Sequence, residues 1–336
     1  MTLAGTPRTD RSQQSLVEPA IRELLDRLDA GNRLICGYQL GYWDADGTPA
    51  TAQGKGIRPA LALLGARAAG EEAVDGVPAA AAVELTHNFS LLHDDVLDGD
   101  TERRHRPTAW TVFGVGPAIL AGDALIGLAY EALTDAPGGG PAVRRLAVDV
   151  RRLIAGQSAD LEFEKRAQVS LDECLQMAGN KTAALLSGAC ALGALVVSAP
   201  APLVDGLSRF GWHVGVAFQL VDDLLGIWGD PARTGKPVGA DLRARKKSLP
   251  VVRAMTLGGA AGRSLADLYG QAAPLGDDEV ARATELVEAG GGRDWTEQRA
   301  REEVERAWAE LDQLALPDEV HRELTDIASF ITGRDH

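Results

Sequence analysis

The sequence predicts an all-α protein built as a single large helical domain. Apolar residues recur at helical spacings of three and four through most of its 336 residues, and strand-like alternation is lacking. The composition is 45% hydrophobic but only 5% aromatic, so Ala, Leu and Val supply most of the core. Gly- and Pro-rich breaks separate the apolar segments, and none of them is a long polar linker between domains.

The helical segments end where residues that break helices begin. Segment 118–133 stops before the Pro-Gly run 137–141, and segment 277–289 stops before three consecutive glycines. We therefore predict one domain over residues 16–336, preceded by a polar, disordered tail at 1–15 that lacks the apolar run of a signal peptide. In chain order, the predicted helical segments are 17–28, 59–69, 79–97, 118–133, 142–155, 171–197, 203–228, 249–255, 277–289 and 296–314.

Charge and cysteine content exclude several classes of function. The net charge of -14 argues against broad binding to nucleic acid or to anionic lipid surfaces. The three cysteines are widely spaced and form no CxxC pair, so neither a disulfide framework nor a zinc site is indicated, and a reducing cytoplasmic location fits. The uncharged stretch 182–204 contains two prolines and many small residues, so we interpret it as a buried helix and predict no membrane span.

Three carboxylates stand at the end of an apolar helical segment, in LLHDDVLD at 91–98. Asp94 and Asp98 lie one turn apart on the same helix face, where like charges repel unless a cation lies between them. Hard oxygen ligands with open positions suit Mg²⁺ bound together with substrate phosphates. The alternative is a solvated helix end. We interpret His93 as a hydrogen-bond partner and not as a metal ligand.

A second carboxylate pair, Asp222 and Asp223, ends another long apolar segment 128 residues after the first. Basic residues cluster near both pairs, and in an acidic protein this clustering indicates paired anion sites, although each residue taken singly would be a surface charge. The basic residues in question are Lys55, Arg58, Arg103, Arg104, Arg106, Lys181, Lys236, Lys246 and Lys247.

With these motifs the sequence resembles the trans-isoprenyl diphosphate synthases, also called polyprenyl synthetases, over nearly its whole length after the tail. The motifs match that family in order along the chain. They are Gly54-Lys55-x-x-Arg58-Pro59, Asp94-Asp95-x-x-Asp98 followed by Arg103-Arg104, Gln157 with Asp160, Lys181-Thr182, Phe218-Gln219-x-x-Asp222-Asp223, and Gly235-Lys236-Pro237 with Lys246.

The resemblance implies an all-α fold with a central cavity and a Mg²⁺-dependent prenyltransferase that condenses isopentenyl diphosphate with an allylic diphosphate. It also suggests a homodimer. The implied metal ligands are Asp94, Asp95, Asp98, Asp222 and Asp223. The other implied catalytic residues are Arg103, Lys181, Gln219 and Lys236. The implied substrate-binding residues are Lys55, Arg58, His87, Arg104, Thr182 and Lys246.

One departure from the family pattern falls in the second motif, where Gly226 replaces the usual third aspartate. We expect weakened metal binding there and not loss of the site. Asp230 lies about two turns from Asp222, but Pro231 follows it and we expect the helix to end first.

Two alternatives share the same fold. A terpene cyclase ionises the same kind of allylic diphosphate but has no use for an isopentenyl diphosphate site. The resemblance implies four residues for that site, and all are present: Lys55, Arg58, His87 and Arg104. A non-catalytic subunit of a heteromeric synthase would typically lack one aspartate motif, and only Gly226 points that way.

Product length should depend on residues along the helix below Asp94, because each added C5 unit pushes the growing tail deeper. Ser90 and Thr86 are small, and Phe89 is the first bulky aromatic residue near that path. The resemblance to geranylgeranyl diphosphate synthases with an aromatic residue at this position suggests a C20 product. The alternative is that Phe89 faces a neighbouring helix as part of the core.

Overall fold

The computed structural model describes residues 9–50, 56–103, 105–231, 237–271 and 273–333. The chain divides into two compact units, each assembled from separate stretches of sequence. Unit 1 comprises Met1–Val150, Leu185–Gly211 and Leu311–Ile327. Unit 2 comprises Arg151–Ala184, Trp212–Glu310 and Ala328–His336. That residues 16–336 act as one domain stays a prediction.

Helices account for nearly all regular structure in the described part of the chain. The elements before residue 140 are α1 (Thr9–Leu25), α2 (Ala30–Leu40), α3 (Ile57–Ala68), a 3₁₀ turn (Ala73–Gly76), α4 (Val77–Asp98), β1 (Glu102–Arg103), β2 (Arg106–Pro107), α5 (Ala109–Phe113), α6 (Val115–Thr134) and α7 (Gly139–Lys165). The later elements are α8 (Leu171–Ala178), a π-helical turn (Gly179–Ala183), α9 (Ala184–Val196), α10 (Ala201–Trp228), α11 (Ala240–Arg243), α12 (Leu249–Leu257), α13 (Gly259–Tyr269), α14 (Asp277–Ala289), α15 (Gly292–Asp312) and α16 (Asp318–Thr332).

The core of unit 1 contains α3, α4 and α9, and most of the apolar side chains of these helices are buried. Glycine allows α3 and α9 to approach closely, because a Cβ at Gly65 would overlap the Cys190 carbonyl and one at Gly193 would overlap the Ala62 carbonyl. The uncharged stretch beginning at 182 is therefore a buried helix over most of its length, as the sequence predicts.

The all-α prediction is confirmed, and each of the ten predicted segments contains a helix. The sequence did not predict α2, α5, α11, α13 or α16. Helix α2 contains two glycines that obscure its pattern, but Asp29 caps it by accepting hydrogen bonds from Gly31 N and Asn32 N. Helix α1 begins at Thr9, so residues 9–15 of the expected disordered tail extend the helix that buries Val17 and Ile21, while residues 1–8 lie outside the described residues.

By length and composition alone, helix α6 is long and apolar enough to cross a membrane. Within its apolar 18-residue stretch, 33% is buried inside the protein. It packs against α4 and α2. Its outward side carries large apolar side chains, with Val115 46% and Leu120 60% exposed.

Candidate active site

Helix α4 presents the first aspartate motif at its C-terminal end. The helix ends at Gly99, whose left-handed φ of 69° suits a residue without a Cβ. Asp94 is half-buried and Asp98 is exposed, on the face that they share by their spacing of four residues. Asp95 points elsewhere, because its side chain is only 2% exposed.

The buried Asp95 organises the chain that follows α4. Arg103 Nε donates to Asp95 Oδ1 at 2.6 Å, and this bond ties the short β1–β2 hairpin to the helix end. Asp95 Oδ2 has no hydrogen-bond partner within the described residues. Burial raises the pKa of Asp95, and the Arg103 charge opposes that rise. Asp95 therefore positions Arg103, which was itself predicted to act on the departing diphosphate.

Two of the residues predicted to hold isopentenyl diphosphate lie together in unit 1. Arg58, in the first turn of α3, places Nη1 3.3 Å from Nε2 of His87 on α4. Lys55 and Arg104, predicted to belong to the same set, lie outside the described residues, as does Lys236 of the predicted catalytic set.

Unit 2 carries Lys181 and Thr182 on the π-helical turn between α8 and α9. Glycines on both sides let this turn pack closely, because a Cβ at Gly156 would overlap the Lys181 backbone and one at Gly215 would overlap Ala183. Lys181 Nζ donates to Asp160 Oδ2 at 2.6 Å. The extra residue of a π turn offsets the side chains that follow it, and such turns recur at functional sites. Helical periodicity alone could not have predicted it.

The second aspartate motif lies on α10 and, like the first, has one aspartate toward solvent and the next one buried. Asp222 is exposed, whereas the Asp223 side chain is only 4% exposed. Asp223 Oδ1 accepts a hydrogen bond from Gln219 Nε2 at 2.8 Å, and Oδ2 accepts one from Leu249 N at 2.9 Å. Thr182 Oγ1 donates to Gln219 Oε1 at 2.6 Å, which links the π turn to α10. Asp223 therefore joins the parts of unit 2, and its role as a direct metal ligand stays a prediction.

Lys246 stands among the carboxylates of unit 2. Its Nζ lies 3.6 Å from Asp223 Oδ1 and 3.5 Å from Asp241 Oδ2. Burial lowers the pKa of Lys246, but the charges of Asp223, Asp241, Asp222 and Asp160 outweigh it and hold the pKa above its ordinary value. Sequence reasoning missed Asp241, whose only signal was its place between the two predicted lysines Lys236 and Lys246.

Of the residues predicted to set chain length, Phe89, Ser90 and Thr86 are all buried on α4. The Phe89 ring packs edge-on against the His93 ring at 4.9 Å between centroids. His93 Nε2 lies 3.0 Å from the Ile119 carbonyl of α6, which agrees with its interpretation as a hydrogen-bond partner. Phe89 therefore lies beside the contact between α4 and α6, and both interpretations of it stay open.

Comparison with known proteins identifies the family. The family model described as polyprenyl synthetase matches residues 48–287. The (2E,6E)-farnesyl diphosphate synthase of Mycobacterium bovis is 48% identical over 326 residues, covering 95% of this chain and 90% of that protein. The chain belongs to the polyprenyl synthetase family.

Two further polyprenyl synthetase relatives agree with this assignment. The geranylgeranyl diphosphate synthase of Mycobacterium tuberculosis is 45% identical over 322 residues, covering 94% of this chain and 91% of that protein. A crystal structure of a polyprenyl synthetase from Streptomyces coelicolor superposes with a TM-score of 0.92 at 45% identity, covering 97% of this chain and 99% of that one. The predicted family, its all-helical isoprenoid synthase fold and its class, the trans-prenyltransferases, are thereby confirmed.

The donors of both polyprenyl synthetase motifs fit a divalent metal ion. Asp94, Asp98 and Asp222 offer hard carboxylate oxygens at partly or fully exposed helix positions. Within the described ranges no group of three or more His, Cys, Asp or Glu side chains forms a complete metal cage. One or two carboxylates per ion, with the remaining positions filled by substrate phosphates and water, is the arrangement that Mg²⁺ prefers.

Proposed function

We propose that this chain condenses isopentenyl diphosphate with an allylic diphosphate, with Mg²⁺ as its metal and geranylgeranyl diphosphate as its product. The observation that carries the proposal is the repeated arrangement of the two motifs. Each has an outward carboxylate, Asp94 or Asp222, and buries the next aspartate against a basic side chain, Arg103 in unit 1 and Lys246 in unit 2. Outward carboxylates beside fixed cations suit a metal-bound diphosphate.

The residues of the chain support ionisation of the allylic substrate. Mg²⁺ bound at the outward aspartates would neutralise charge on the diphosphate leaving group. Arg103 and Lys181 are held by Asp95 and Asp160, so each keeps a cation in a fixed position as the C–O bond breaks and negative charge grows. The products of this step are an allylic carbocation and diphosphate.

The second substrate then reacts at the cation. Arg58 and His87 would bind the diphosphate of isopentenyl diphosphate, which does not ionise. Its double bond attacks C1 of the cation and forms the new C–C bond. The released diphosphate takes up the proton that is lost as the new double bond forms. The scheme requires no protein nucleophile.

The C20 product rests on Phe89, whose buried ring lies on α4 below the motif. The relatives do not favour one length, because the farnesyl and geranylgeranyl diphosphate synthases are 48% and 45% identical to this chain. A C15 product is therefore the second candidate.

We also propose a homodimer in the cytoplasm. The outward side of α5 and α6 carries four exposed apolar side chains, Val112, Val115, Ile119 and Leu120, and we call this set the α6 apolar face. A second copy of the chain would cover it, since monomeric proteins rarely expose large contiguous apolar patches. Cys36, Cys174 and Cys190 are all unpaired and buried, as suits a reducing compartment.

Diphosphate release tests the proposal against the two alternatives. The purified chain is incubated with Mg²⁺ and an allylic diphosphate, with and without isopentenyl diphosphate. We expect rapid release only when both substrates are present, and none after chelation of the metal. Release from the allylic diphosphate alone would favour a terpene cyclase, and no release under any condition would favour a non-catalytic subunit.

A further inference from the structure

The two aspartate motifs are equivalent position by position except at their last member. Asp94, Asp95 and Asp98 correspond to Asp222, Asp223 and Gly226, each 128 residues later. In both motifs the middle carboxylate is buried and bound to protein groups, which leaves the outer two positions for a ligand. By this correspondence the second motif lacks one outward carboxylate.

A carboxylate from another helix lies at that position. A Cβ built on Gly226 would overlap the carboxylate of Asp241, which belongs to the short helix α11. Residues 222 and 226 are one helical turn apart on the same face, with Cβ positions separated by about 5 to 6 Å. The Asp241 carboxylate therefore lies about one turn from Asp222, as Asp98 lies one turn from Asp94. Glycine at 226 is what leaves room for it.

Backbone and side-chain contacts hold Asp241 in this place. Gly239 N donates to the Ile227 carbonyl at 3.1 Å, which fixes the start of α11 beside the end of α10. Lys246 N donates to the Asp241 carbonyl at 2.8 Å, and Lys246 Nζ reaches the Asp241 carboxylate at 3.5 Å. The position of Asp241 is thus set by three independent contacts and does not depend on its side chain alone.

The surroundings favour a divalent cation. Asp160, Asp222, Asp223 and Asp241 all act on the charge of Lys246, and Lys181 pairs with Asp160, so these six side chains carry an excess of negative charge. Gln157 lies three residues before Asp160 on α7 and is only 6% exposed, yet neither of its polar side-chain atoms has a partner within the described residues. A buried amide without protein partners marks a place where a hydrated ligand can bind.

We propose that Asp241 supplies, from α11, the carboxylate that the second motif lacks at position 226, so that Asp222 and Asp241 form the metal-binding pair of unit 2. This inference rests on the proposed function, because it assigns residues to the metal of that reaction. It also leads to a prediction for Gly226→Asp. The new side chain would displace Asp241 instead of adding a ligand.

Moving the carboxylate between the two positions tests the proposal. Mn²⁺ binding is measured by electron paramagnetic resonance on the intact chain with saturating inorganic diphosphate, alongside melting curves that verify folding. Asp241→Asn should weaken Mn²⁺ binding by about tenfold or more. The double variant Gly226→Asp/Asp241→Ala should recover most of the lost Mn²⁺ affinity, because the carboxylate of residue 226 on α10 then takes the place of the Asp241 carboxylate.

Asp230→Asn is the matched control, because Asp230 is the other carboxylate near the motif and lies beyond the end of α10 at Trp228. It should leave Mn²⁺ binding unchanged. Unchanged binding in Asp241→Asn, or a double variant no better than Asp241→Ala alone, would overturn the proposal. Either result with an active wild-type chain refutes only the role of Asp241, whereas a wild-type chain that binds no Mn²⁺ with diphosphate contradicts the proposed function itself.

Discussion

Arg103 Nε donates to the buried Asp95 carboxylate at 2.6 Å, so the second aspartate of the first motif holds a basic side chain beside the site. Asp223 has the corresponding place in unit 2, with Lys246 as its cation. In each motif, therefore, the two neighbouring aspartates have different surroundings, so we expect substitutions at them to affect turnover and stability differently.

We expect Asp94→Asn and Asp222→Asn to reduce turnover by several orders of magnitude while leaving the melting temperature within a few degrees of the wild type. Each removes an outward carboxylate and also relieves repulsion between neighbouring charges. Asp95→Asn should instead lower both turnover and melting temperature, because it removes the charged partner of Arg103. Steady-state rates and melting curves check this contrast. Near-normal turnover in Asp94→Asn would remove the metal assignment in unit 1.

The stability of the metal-free chain should decrease as pH rises through the titration of Asp223. Burial raises the pKa of Asp223 from 3.8 to about 6, although Lys246 and the Leu249 N–H oppose the rise. The folded state then binds this proton more tightly than the unfolded chain does. The protonated Asp223 therefore contributes fully to the free energy of unfolding below about pH 4, and this contribution is lost as the pH rises above about 6.

Urea denaturation at pH 4 and pH 7 measures this effect, with Asp223→Asn as the non-titrating reference. The free energy of unfolding of the variant, relative to the wild type, should be higher at pH 7 than at pH 4 by about 2 kcal/mol. Parallel pH dependence in the two proteins would show that Asp223 titrates at its ordinary pKa.

Arg58→Ala and His87→Ala should raise KM for isopentenyl diphosphate by roughly tenfold to a hundredfold, the loss of one charge-assisted hydrogen bond. KM for the allylic substrate should change much less. Arg67→Ala is a control on the same helix, because Arg67 pairs with Glu319 and Glu323 within unit 1. A larger effect on the allylic substrate would assign Arg58 to the ionising site instead.

Phe89→Ser should lengthen the product beyond that of the wild type, because it removes a bulky ring from the part of α4 below the motif. Phe113→Ser, on α5, is the control and should leave the product length unchanged. Chromatography of the dephosphorylated products measures the length. The same product from Phe89→Ser and the wild type would mean that Phe89 is core and that the floor of the cavity lies elsewhere.

Leu120→Glu should shift the chain from dimer to monomer in light scattering coupled to size-exclusion chromatography, because it places a charge at the most exposed residue of the α6 apolar face. Leu257→Glu is the control, since Leu257 is 64% exposed but belongs to α12 and is not part of the α6 apolar face. A monomeric wild-type chain, or a Leu120→Glu variant that remains dimeric, would refute the proposed interface.

Helical periodicity was sufficient to predict α4 and α10, because each buries apolar side chains along most of its length. It also placed both aspartate motifs at the C-terminal ends of these helices. The π turn at Gly179–Ala183 could not be predicted, because its close packing depends on Gly156 and Gly215 of other helices. Apolar periodicity does not predict helix α2, because its two glycines weaken the apolar pattern.

The site was predictable as a set of residue types but not as a set of roles. Asp94 and Asp95 are the same residue type, and only the structure shows that Asp94 faces outward whereas Asp95 is buried and binds Arg103. Asp241 lies 18 residues after Asp223, the nearer of the two aspartates of the second motif. A sequence motif cannot show that the Asp241 carboxylate lies beside Gly226 of α10, because that position depends on how α11 packs against α10.

Incorporation of labelled isopentenyl diphosphate into product tests the central claim most directly. The purified wild-type chain is incubated with labelled isopentenyl diphosphate, Mg²⁺ and one unlabelled allylic diphosphate at a time. We expect a linear prenyl diphosphate that contains the label and is longer than the primer by whole C5 units. An unlabelled cyclic hydrocarbon formed from the allylic diphosphate alone would contradict it.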